Sequence, residues 1–127
     1  MGGKMGKIFF IEDDISMINF WKLVLKSEII QGKLTVVTAM NLEEAERKFL
    51  ENHDFAIIVI DGCVPGRQLN TLPLAKKIRK SFLGDMIAVS SIDEYRKLLL
   101  QAGCNLDCEK EKLPWLILKL INKDPGA

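Results

Sequence analysis

Histidine is almost missing from this sequence: there is one, His53. It stands in a predicted turn at the edge where a strand begins, which argues against a Ser–His–Asp hydrolase. Cysteine is scarce and odd in number, with three residues, so no disulfide framework is expected. Cys104 and Cys108 lie four apart, and two thiols without further partners seldom make a metal site. Long apolar runs are absent. Near the start only Ile8 to Ile11 are consecutively apolar, and acids follow at once. That is too short for a secretory segment, and no run approaches the roughly twenty residues of a membrane span. Position 6 is Gly rather than Ser or Thr, so a myristoylation signal is incomplete. An excess of one charge sign is missing too. Lys plus Arg is 18 and Asp plus Glu is 17, for a net charge of +1. No global field draws the chain to nucleic acid or a membrane. The cluster Lys76, Lys77, Arg79 and Lys80 reads as a solvated helix face. The expectation is a cytoplasmic chain without targeting segment, membrane contact or direct nucleic-acid partner.

What is present suits one globular domain. The 127 residues are 48% hydrophobic and 28% charged, so residues 1–127 are expected to form one unit with its core over about 6–122. Short β-branched or aromatic runs predict strands at residues 7–11, 34–39, 55–60, 86–90 and, weakly, 104–109. Helices are predicted over 15–26, 42–51, 71–82, 92–101 and 114–122, with a frayed end at 124–127. Asp14 or Ser16 is placed to cap the first helix and Asn41 the second. Pro73 is tolerable in a first turn. Trp21 and Trp115 fall on helical stripes and read as packing residues. Continuous apolar strands alternating with helices predict a parallel sheet covered on both faces. Right-handed crossovers bring the loops after the strands to one edge.

The polar residues gather at that edge. Glu12, Asp13 and Asp14 follow the first strand, Asp61 the third, and Ser90 and Ser91 the fourth; Lys110 lies near the end of the fifth. In the strand order 2-1-3-4-5 the order reverses between strands one and three, where ligands bind. Acids alone could cap a helix or be solvated, and Lys110 sits in an alternating run, Glu109-Lys110-Glu111-Lys112. Converging carboxylates, however, favour a hard divalent cation such as Mg²⁺. A carboxylate held beside the metal can attack a phosphoryl group and form an aspartyl phosphate. A lysine and a hydroxyl can neutralise the transferring charge. Asp61, Lys110 and Ser90 fit those three roles, Ser90 ahead of Ser91 by its spacing from the strand.

Four segments, in order and each at a strand end, resemble the receiver domains of two-component response regulators. Residues 7–14 resemble the family's first strand and acidic pair. Ile57-Ile58-Val59-Ile60-Asp61-Gly62-Cys63-Val64-Pro65-Gly66 is similar to the phosphoacceptor strand and loop. Met86 through Ser91 resembles the fourth strand with its switch hydroxyl, and Ala102-Gly103-Cys104 through Lys110 the run to the family's lysine. The resemblance implies a flavodoxin-like (βα)5 fold and a phosphoacceptor switch rather than a conventional enzyme. It implies phosphate on Asp61, from a sensor histidine kinase or a phosphotransfer protein. It implies Mg²⁺ bound directly by Asp13 and Asp61, by Glu12 mainly through water, and by the backbone carbonyl of Cys63. Lys110 would contact the phosphoryl group, Ser90 would report it, and Cys63 and Ser91 would tune its lifetime. Output would pass to an unknown partner protein, from a monomer or weak dimer. Two departures bear on that output: Glu111 follows the lysine where the family commonly has Pro, and Asp107 stands where it commonly has an aromatic ring. Two other readings remain: a degenerate receiver that only binds partners, and a small phosphotransferase or phosphatase with Asp61 as covalent nucleophile.

Overall fold

The computed structural model describes residues 6–122. The frayed end expected at 124–127 and the first five residues lie outside them. Five strands form one parallel sheet, β1 (Gly6–Ile11), β2 (Leu34–Ala39), β3 (Phe55–Asp61), β4 (Asp85–Val89) and β5 (Leu106–Cys108), in the order β2-β1-β3-β4-β5. This is the expected order. Because side chains alternate across a strand, each central strand feeds two cores. Phe9, Ile11, Ile58, Ile60, Met86 and Ala88 point to one face. There they meet α3 (Leu42–Glu51), α4 (Leu72–Arg79) and α5 (Asp93–Ala102). Ile8, Phe10, Ile57, Val59, Ile87 and Val89 point to the other. That face is covered by α1 (Ile15–Val24) and α6 (Leu113–Asn122), with Ile29 of the short α2 (Lys26–Ile30) packed alongside. Both faces of the sheet are buried, so nearly continuous apolar strands are required.

Most element boundaries differ from expectation by a residue or more, and α4 ends at Arg79, three residues before the expected 82; three further differences have physical reasons. The first helix breaks at the buried Leu25 (φ −90°, ψ 7°), and α2 continues to Ile30 so that Ile29 reaches the core. β5 pairs over three residues only, because Cys104 N–H closes α5 on Leu99 and the Asn105 side chain accepts the Met86 N–H of β4 that a longer strand would pair. After β5 a 3-10 turn at Lys110–Lys112 leads into α6. The first helix is capped by Asp14, whose Oδ1 accepts from Ser16 and Met17 N–H. Asn41 caps α3 through Glu44 N–H. Of the basic cluster on α4, Lys76, Lys77 and Lys80 are exposed as expected, but Arg79 turns inward to the carbonyls of Phe82, Gly84 and Gly103. His53 is exposed before β3. No helix among the described residues is long and apolar enough to cross a membrane.

Candidate phosphoacceptor site

Parallel register aligns the strand ends. Ile11 pairs with Ile60, so Glu12 stands beside Asp61, the last residue of β3. Asp61 pairs with Val89, and Val89 with Cys108. Ser90 follows Val89 directly, and Lys110 lies just beyond Cys108, so both enter the same edge. The structure thus brings together Glu12, Asp13, Asp61, Ser90 and Lys110, while Asp14 is spent on the cap of α1.

Lys110 is the centre of charge. Its Nζ donates to Asp61 Oδ2 and to Glu12 Oε2, each at 3.2 Å. It lies 3.0 Å from Glu12 Oε1, but off the angle of a hydrogen bond, and that buried oxygen has no hydrogen-bond partner. One ammonium facing two buried carboxylates leaves negative charge uncompensated. Burial, then the charge of Asp61, pushes Glu12 up to about 7 against the opposing pull of Lys110. Burial also raises Asp61, again opposed by Lys110. Burial alone would depress Lys110; the charges of Asp61 and Glu12 outweigh it and hold its pKa above the usual lysine value. Mutual perturbation of buried titratable groups at a cleft is the pattern by which functional sites tune their acids and bases.

The acidic triad fits a cation. One oxygen from each of Glu12, Asp13 and Asp61 lies within 4.8 Å of the others. The surplus negative charge calls for a positive ligand, and an all-oxygen set suits Mg²⁺. Asp13 is the more exposed acid, and its Oδ2 accepts from Gly66 N–H at 3.1 Å. Gly66 has φ +99°, a conformation that side-chain-bearing residues rarely adopt, so a glycine is required to aim this N–H at the acid. The Val64–Pro65 peptide just before it is cis. Between Asp61 and Val64 the carbonyls of Asp61, Gly62 and Val64 accept from Thr71 or Asn70. Among the described residues the Cys63 carbonyl accepts no hydrogen bond, which leaves it free for a cation.

Asp13, Asp61, Cys63, Gly66, Ser90 and Lys110 line an open cleft of about 380 Å³, with Ser91 and Arg67 at its exposed rim, while Glu12 itself is fully buried. Ser90 Oγ accepts from Ile92 N–H at 3.0 Å, which leaves its own proton free to donate. Sequence reasoning missed three supports. Arg67 gave no signal beyond a basic residue in the loop. Trp21, expected to pack, is fully buried and also donates from Nε1 to the Lys110 carbonyl at 2.8 Å, seating the lysine. Tyr95 on α5 lies against Gly62, close enough that a Cβ there would stand 3.3 Å from its ring. The thiols are free; burial raises Cys63, and pushes Cys104 up to about 12 and Cys108 to about 11. A second hollow, about 560 Å³, lies on α6 beside the half-exposed Trp115, and no residue of the acidic edge lines it.

No protein-family model matches the sequence, and no curated protein sequence matches it. Solved structures do match in shape. A CheY-like response regulator receiver domain from Methanospirillum hungatei superposes with TM-score 0.73 at 23% identity, over 94% of this chain and 93% of that one. The fold is that of a response-regulator receiver domain. A two-component response regulator from Clostridium difficile shares this receiver fold at TM-score 0.76 and 20% identity, over 97% of this chain and all (100%) of that one. A response regulator from Burkholderia pseudomallei, solved with a phosphorylated aspartic acid, a calcium ion and citrate, matches at TM-score 0.72 and 14% identity, over 93% of this chain and 67% of that one.

Proposed function

We propose that this chain is the phosphoacceptor switch of a two-component phosphorelay, with Asp61 as acceptor. The supporting observation is that Lys110 Nζ sits 3.2 Å from Asp61 Oδ2, inside a triad of carboxylates. The donor is a phosphohistidine of a sensor kinase or phosphotransfer protein. A carboxylate oxygen of Asp61 forms the new O–P bond as the N–P bond breaks, and the imidazole nitrogen keeps the electron pair. Glu12, Asp13, Asp61 and the Cys63 carbonyl would hold Mg²⁺, which when bound neutralises charge on the transferring phosphoryl group. Lys110 takes over a phosphoryl oxygen, and Ser90 donates its free proton to another. The phosphorylated aspartate and calcium ion of the Burkholderia protein, in the same fold, support both assignments. The chain turns over no substrate of its own; it acts in the cytoplasm by changing its fit to an output partner.

The test is intact mass after incubation with a small phosphodonor and Mg²⁺. One phosphoryl group per chain is expected, and Asp61→Asn should abolish it. Stoichiometric labelling of folded Asp61→Asn at another residue refutes the assignment. An unlabelled wild type would instead favour a module that only binds partners, and continuous turnover of a phosphate ester would favour an enzyme.

A further inference from the structure

β5 is Leu106-Asp107-Cys108 and carries no aromatic ring. Asp107 faces α5, where it accepts from Arg96 Nε at 3.1 Å. The same guanidinium donates from Nη1 to the Ser90 carbonyl at 2.7 Å, and from Nη2 to Asp93 Oδ1 at 2.9 Å. Its side chain is only 13% exposed. One rigid fork thus joins the loop after β4, the first turn of α5 and β5. A planar guanidinium with fixed donor directions cannot let one acceptor move without rotating or releasing the others. Ser90 is held at both ends: its carbonyl by Arg96, its hydroxyl by Ile92 N–H. The neighbouring Tyr95 rests on Gly62, so the same turn of α5 also touches the phosphoacceptor loop.

We propose that Arg96 is a positioning residue that ties Ser90 to Asp107, so that a Ser90 drawn toward a phosphoryl group on Asp61 shifts β5 and the start of α5. The inference rests on the phosphoacceptor reading of Asp61. Sequence alone gave no hint of it, because Arg96 sits on a helix among other charges.

The test is NMR of the full ¹⁵N-labelled chain, with and without Mg²⁺ and beryllofluoride as phosphoryl analogue. In wild type the amides of Gly62 and Cys63 should shift, and the Arg96 Nε–Hε resonance should move with them. Ser90→Ala should lose the Arg96 response, and Ser90→Thr, which keeps the hydroxyl, should restore it. Asp107→Ala, which removes the acceptor, should retain the Arg96 response to Ser90 but lose the response of the β5 amides. If Gly62 and Cys63 shift while Arg96 stays still, or if Ser90→Ala leaves the Arg96 response intact, the relay is overturned and the Asp61 reading stands. If nothing near Asp61 responds, that reading falls and the relay falls with it.

Discussion

Glu12→Gln should stabilise the metal-free protein, and increasingly so as pH rises. Glu12 moves from an ordinary value of 4.5 in the unfolded chain to about 7 when folded, chiefly through burial. The folded state therefore holds a proton that the unfolded state has released, and stability falls as pH climbs through that window. At about 1.4 kcal/mol per pH unit, the full effect is about 3 kcal/mol, nearly all developed by about pH 8. The help Lys110 gives the ionised form is already contained in that value. Gln mimics the protonated acid, so wild type and variant should be nearly equal near about pH 4 and diverge above it. Against a total stability of roughly 5–15 kcal/mol this is a large fraction. The assay is urea unfolding in a chelator at several pH values between about 4 and 8. With an unfolding slope of roughly 1–3 kcal/mol per molar urea, the midpoint of the variant should exceed that of wild type by about 1–3 M at the upper end. Mg²⁺ should remove most of the difference, because it compensates the charge that burial exposes to penalty. A variant-minus-wild-type difference that stays flat with pH would refute the account of Glu12 as a strained, uncompensated carboxylate.

Asp13→Ala should weaken Mg²⁺ binding more than Glu12→Ala, since Lys110 already holds Glu12 while Asp13 is the accessible acid; metal titrations of both variants check it. Trp21→Phe should cost about 1–3 kcal/mol by urea unfolding, because the Lys110 carbonyl loses its indole donor at 2.8 Å; a loss no larger than an exposed substitution would show that the bond is incidental. Gly62→Val should destabilise by about 1–3 kcal/mol by the same assay, since even a Cβ would meet Leu69 at 3.2 Å and Tyr95 at 3.3 Å; a neutral result would mean that Tyr95 does not rest on this loop.

Much of the fold was legible in the sequence because it is written in local period. Apolar runs bounded by Gly, Asn and charge located all five strands, and Asn41 and Asp14 marked helix starts that the structure caps. Continuous apolarity implied a parallel sheet buried on both faces, and right-handed crossovers then put the acids after β1 and β3 on one edge with Ser90. Other features were not legible, because they depend on which side chains meet across long separations. Lys110 is picked out by its place near the end of the fifth strand and by the resemblance, while the run Glu-Lys-Glu-Lys by itself does not separate it from Lys112. Only the end of β5 at Cys108 and the 3-10 turn that follows aim Lys110 between Glu12 and Asp61, while Lys112 stays in solvent with its side chain 75% exposed. Trp21 seats that lysine from 89 residues away, and no periodicity within one helix encodes such a partner. The Ser90–Arg96–Asp107 link is of the same kind. Sequence period decides which face of an element is apolar; packing of the finished elements decides where each polar side chain finds its partner.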